Sequence, residues 1–470
     1  MRALCAEALD AAVAGGASYA DARALSRRDQ LVATRNGDVL TVNDQESEGI
    51  GVRVLVDGAW GFACDRRLTK EGSREAARRA CAFARAAGRG RRQLAPVEAQ
   101  SVEYRTPMRV DPFAISVGDK IGLCLAAEDG MRRDGVIVTS ATLRAFRERK
   151  LLATTDGVEA DQERVECGGG IQAIAAADGV VQTRSYPAGF GGWSGQAGWE
   201  FVEGFAFERE ADRVGEEAVA LTRAPVCPAA RTTVVLDADQ MVAQLHESVG
   251  HPIELDRILG TEAAYAGTSF LSQADLGSLR YGSDLMNVTA DASLAGGLGS
   301  FAVDDEGSPA RLEAIVEAGV LRRFLSSREL GGGGSMRADS WNRMPLVRMT
   351  NLSLEPGEGS VEELLADVAE GVYLETNKSW SIDDKRLNFQ FGTEAAWEIK
   401  DGKRGRLLRD ATYTGITPPF WAGLDGLAGP EHWVVIGATN CGKGQPGQVA
   451  HVSHGASPGR FRDVQVGVRS

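Results

Sequence analysis

Residues 245–252 read Leu245-His246-Glu247-Ser248-Val249-Gly250-His251-Pro252, and the way this stretch folds decides what the second half of the chain is built around. Two histidines four apart on a helix face one metal while the Glu between them works on a bound water. Here they are five apart, which on a regular α-helix turns the rings about 140° away from each other. The surrounding residues offer a way out. Asp237 with Gln240 three residues on reads as the N-cap of a helix starting near Ala238. Met241, Val242, Leu245 and Val249 then supply a buried stripe at helical spacing. Gly250 favours a left-handed helix end and Pro252 an extended His251. The sequence thus predicts a helix that stops at Gly250, with His251 swinging its ring back from beyond it.

Two imidazoles need a third protein ligand, and water in the fourth position if the site is catalytic. Spacing leaves several candidates open: Glu254 and Asp256 just downstream, Cys441, His432, His451 and His454. Cys441 follows an expected strand and opens a Gly-rich turn, NCGKGQPGQ (440–448). Glu254 could instead orient a histidine N–H from behind.

Composition sets the wider limits. The 470 residues carry 52 basic and 65 acidic side chains, net −13, with 43% hydrophobic and 25% charged residues. These are ordinary globular values, with enough chain for two or three domains. The acidic balance argues against nucleic acid or an anionic membrane as partner, and no apolar run reaches the roughly 20 residues of a membrane span. Seven cysteines, odd in number and scattered without a C-x-x-C pair, fit a reducing cytoplasm.

The pattern along the chain predicts an α+β protein in two parts. Residues 1–225 read as an N-terminal α/β domain of hairpins and helices, with helices at 2–15, 69–88, 117–133 and 203–223. An Asn36-Gly37 turn joins the first strands. A boundary falls at 224–228, Ala-Pro-Val-Cys-Pro. Residues 226–470 read as a mostly antiparallel β domain carrying the metal-site helix, with one further helix at 361–370 capped by Ser360 and Glu363. The final strands fall near 386–400, 403–413, 433–438 and 461–468.

HESVGHPIELD (246–256), VDDEGSP (303–309), RMTNLSLEPG (348–357) and NCGKGQPGQ occur in this order, and together they resemble the TldD/PmbA family of zinc-dependent peptidases. RNGDVLTVNDQESEGIGVRVLVDGAWGFAC (35–64) resembles the family's N-terminal domain, so the likeness spans nearly the whole chain. The resemblance implies a Zn2+ cofactor held by His246, His251 and Cys441, with Glu247 as the catalytic glutamate. It implies short or unfolded peptides as substrates, leader peptides of modified peptides among them. It also implies a homodimer, or a heterodimer with a TldE/PmbA-type subunit that lacks the motif. This chain departs from the family after the cysteine. There QVAHVSHGASPGRF (448–461) replaces small apolar residues, and His451 and His454 read as exposed loop histidines.

Arg348, Asn351 and Thr393, in polar turn-adjacent positions, are candidates for lining a peptide cleft. Edge strands of the second half could hold an extended peptide by strand addition. The rival class is a non-catalytic or regulatory subunit whose zinc is structural, which requires a fourth protein ligand.

Overall fold

The computed structural model describes residues 1–444 and 447–467. Residues 445–446 of the expected Gly-rich turn, and residue 468 at the expected end of the last strand, lie outside them.

The first half is built on long hairpins. Tyr19–Arg35 pairs with Asp38–Val56 through Asn36 and Gly37 at φ 53° and 85°. Two positive φ values in a two-residue turn are what a twisted hairpin needs. Val136–Thr154 and Val158–Ala177 form a second hairpin beside the first. The helices cover this sheet with small side chains. In Lys70–Ala86, capped by the Thr69 hydroxyl, the buried face is Ala76, Ala77, Ala80, Cys81 and Ala84. The helix backbone therefore lies close against the strands.

The sheet does not stop at the expected boundary. Fourteen of the described strands form one sheet running from the N-terminal hairpins into the second half. The join is narrow. The three-residue strand Trp193–Gly195 pairs with Cys167–Gly169 on one side and, through Ser194, with Gly437 on the other. A Cβ on Gly168 would lie 2.0 Å from the Trp193 carbonyl oxygen, and one on Gly437 1.9 Å from that of Ser194. Only glycine admits so close a backbone approach.

A second sheet of seven described strands belongs wholly to the second half. Its strand Ala230–Leu236 leads directly into the helix Ala238–Leu245, and the Asp237 carboxylate accepts the Gln240 amide at 2.8 Å as N-cap. The expected stripe is present: Met241, Leu245 and Val249 are fully buried. The mixed, strand-rich α+β fold read from the sequence is the fold observed. Among the described residues no helix is long and apolar enough to cross a membrane.

Candidate metal centre

The helix does not stop where the sequence predicts. Ala238–Leu245 is α-helical, and His246–Gly250 continues as a π-helical turn closed by the His251 amide on the His246 carbonyl at 3.2 Å. His251 keeps right-handed helical angles, φ −67° and ψ −40°. A π turn bonds each amide to the carbonyl five residues back, where an α turn bonds it to the one four back. The surplus residue is thus absorbed by widening the helix, and both rings fall on one side of it. They lie edge to face with centroids 4.8 Å apart.

Gly250 is not left-handed. It is glycine because a Cβ there would lie 2.1 Å from Met349 Sδ. The widened turn is held from outside. Tyr281 donates its hydroxyl to the Ser248 carbonyl at 2.6 Å, and Trp421 Nε1 donates to the Ser248 hydroxyl at 2.9 Å. The Ser248 hydroxyl in turn donates to the Gln244 carbonyl at 2.6 Å. These buried bonds occupy polar groups that the irregular ladder leaves over.

Cys441 arrives from the other sheet. It lies inside the strand Val434–Lys443 rather than after it, correcting the expected strand end. Among the described residues His246, His251 and Cys441 form the one group whose ligand atoms lie within 4.8 Å of one another. Cys441 Sγ stands 3.7 Å from His251 Nε2. Zinc bonds of about 2.1 Å to nitrogen and 2.3 Å to sulfur, set tetrahedrally, put such atoms about 3.6 Å apart. A thiolate with two imidazoles is a donor set suited to zinc, so the residues present fit that ion.

The electrostatics agree. Burial alone would raise the Cys441 thiol, but His246, Arg348 and His251 pull it well below its ordinary value. Burial lowers His246, and the Cys441 thiolate together with the Glu247 and Glu254 carboxylates more than reverses this.

His251 Nδ1 lies 3.1 Å from Glu254 Oε2, which leaves Nε2 facing the sulfur. Glu254 is fully buried, and despite its burial Lys443 and His251 hold its carboxyl well below the usual range. Lys443 is itself buried, with Nζ 3.3 Å from Glu254 and 2.8 Å from Asp256. Strand alternation puts Cys441 and Lys443 on one face, so one contributes the sulfur and the other supports the carboxylate behind His251.

Glu247 borders the same cavity of about 360 Å3 as His246, His251 and Cys441. Burial raises its carboxyl, but His251, His246 and Arg386 together bring it below the ordinary value. Arg386 is absent from the sequence reading. It sits at φ 62° in the turn between the strands Glu370–Ile382 and Asn388–Lys400. Phe190 and Trp380 also line the cavity, exposed, edge to face, with centroids 5.2 Å apart.

Other expected residues lie elsewhere. Arg348 is buried behind Cys441, donating to the Cys441 carbonyl, and lines an adjoining cavity. Asn351 is fully buried, accepting the Gly299 amide at 2.9 Å and donating to Asp291 and Ser300. Thr393 is buried between strands. None of the three lines the metal cavity; Arg348 and Asn351 are instead drawn inward, where they satisfy buried backbone groups. His451 and His454 are not loop residues. Both lie on the strand Gln448–Ala456, His451 against Glu166, and His454 wholly buried beside His246. Burial and the neighbouring His246 push His454 well below the usual histidine range.

Comparison with known proteins gives these features a family. Models described as PmbA/TldA metallopeptidase domain 1, central domain and C-terminal domain match residues 20–84, 110–224 and 229–467. A metalloprotease of Methanothermobacter thermautotrophicus is 30% identical over 459 residues, covering 96% of this chain and 95% of its own. A metalloprotease of Methanocaldococcus jannaschii is 26% identical, covering 84% and 86%. The crystal structure of TldE from Thermococcus kodakarensis shares the fold, with TM-score 0.74 at 12% identity over 99% of this chain and 100% of that one. With all three domain models matched in order, the chain belongs to the PmbA/TldD family of metallopeptidases.

Proposed function

We propose that the chain is a zinc-dependent peptidase that hydrolyses short or unfolded peptides, leader peptides of modified peptides among them, in the cavity over His246, His251 and Cys441. The observation that carries this reading is the convergence of three ligand atoms beside the ionised Glu247 in an open cavity. Bound zinc would polarise the scissile carbonyl and bring the pKa of a water toward neutrality. Glu247 takes the proton from the attacking water and returns it to the leaving amine. Arg386 engages Glu247 Oε2 at 2.7 Å, which leaves Oε1 to carry the proton. Phe190 and Trp380 form an apolar subsite for one substrate side chain.

A structural zinc needs four protein ligands. Against it, the converging group among the described residues has three members, and the next imidazole, His454, is engaged with His246 instead. The working form is a cytoplasmic homodimer, or a heterodimer with a TldE/PmbA-type subunit, which encloses the cavity.

Glu247→Gln tests the assignment. The variant is expected to keep zinc and lose roughly 10²–10⁴ in peptide cleavage. Cleavage at the wild-type rate would remove Glu247 as the base. Zinc loss on mutating a fourth residue, with no peptidase activity in any assembly, would favour the structural reading.

A further inference from the structure

We propose that His454 is a positioning residue that locks His246 into the one tautomer able to present Nε2 to a metal. His454 sits on the strand Gln448–Ala456 in register with Leu352 of the neighbouring parallel strand. Its Nδ1 lies 3.0 Å from the Leu352 carbonyl oxygen. A carbonyl oxygen only accepts, so Nδ1 carries the hydrogen. His454 is fully buried, with no carboxylate bonded to it among the described residues, so it is held as the neutral ring with one N–H. Its Nε2 is therefore a bare acceptor. That nitrogen stands 2.7 Å from His246 Nδ1, so His246 must donate from Nδ1, which leaves its Nε2 with the lone pair that a metal needs.

Both histidines of the motif are thus fixed through Nδ1, by acceptors of different charge. His251 leans on the Glu254 carboxylate at 3.1 Å. His246 leans on a neutral imidazole backed by the main chain. The second arrangement sets the tautomer without adding a negative charge to a site that already holds a thiolate and a buried carboxylate. His454 has no nitrogen to spare for a metal, since one faces Leu352 and the other His246, and it stands outside the three-residue ligand group.

The inference rests on the metal reading, and the two fail differently. A wild-type protein that takes up no zinc would sink that reading before any variant is made. For the inference, zinc affinity is measured by chelator competition on full-length wild type, His454→Leu and His454→Gln, with visible spectra of the Co2+-loaded proteins alongside. Leu removes the acceptor and should weaken zinc roughly 10–100-fold. The Gln carbonyl can take the place of Nε2 and should hold affinity within about threefold, with an unchanged Co2+ spectrum. If the Leu variant does not fold, His454→Asn replaces it, reaching Leu352 but not His246, and should show the same loss. Wild-type affinity without the acceptor would overturn the proposal. So would a Gln variant as weak as Leu with an altered Co2+ spectrum, because His454 would then be a ligand.

Discussion

Arg386 Nη1 lies 2.7 Å from Glu247 Oε2, across 139 residues of sequence. The pair is mostly buried, with side-chain exposures of 16% and 11%, so removing one partner strands the other's charge in a poorly solvated place. Arg386→Leu should therefore lower peptide kcat/KM roughly 10–100-fold with zinc content unchanged, and Arg386→Lys should recover part of the loss. A faster Leu variant would mean that the ion pair restrains the carboxylate instead of supporting it.

Gly250→Ala addresses the widened turn. The added methyl meets Met349 Sδ at 2.1 Å, and the helix cannot move without shifting His246 and His251. Overpacking of this kind costs about 1–3 kcal/mol. Urea unfolding should show that loss, and chelator competition should show weaker zinc binding. Unchanged values for both would mean that Met349 moves aside freely.

Much of this centre could be read from sequence, because its signals are local. The Asp237 cap, the Met241–Leu245–Val249 stripe and the Ser360–Glu363 capping box each lie within one or two helical turns, and all three form as expected. The Asn36-Gly37 turn is local in the same way. The π turn was not legible. It depends on Tyr281 and Trp421, each of which reaches Ser248 from a distant segment. Gly250 carried a true signal with a misleading cause, since close approach and left-handed backbone both call for glycine. His454 looked exposed because its strand pairs with Val434–Lys443 and Asn351–Leu354, and residue patterns do not name strand partners.

The apolar rim gives a specificity prediction. Phe190→Ala removes one ring of an exposed pair that lines the cavity without touching the ligand group. KM for peptides bearing a large apolar side chain should rise about 3- to 10-fold, with kcat little changed. Steady-state kinetics on a peptide pair differing in that one side chain would check this, and equal effects on both peptides would refute the subsite.

A pH test of the fold lies away from the metal. Glu394 is buried, and burial raises its carboxyl to about 7 from an ordinary 4.5, against the opposing pull of Arg184 and Ser185. A raised folded-state value means that its contribution is complete below pH 4.5 and is lost as pH climbs through 7. Glu394→Gln can keep an acceptor for the Ser185 amide now bonded at 2.7 Å and cannot ionise. Relative to wild type, the variant should gain about 1–3 kcal/mol between pH 5 and pH 8, read from urea midpoints. A constant difference would place the titration elsewhere.

The glycine seam at Gly168, Ser194 and Gly437 has a consequence for the way such a protein can change. Gly437 lies four residues before Cys441 on the same strand, so the sulfur's place is registered against the N-terminal hairpins by main-chain contact, with no side chain between them. Loop and rim residues such as Phe190 can then vary while the two halves stay in alignment. A single methyl at the seam would drive them apart. The seam is a fixed datum from which the position of the sulfur is measured.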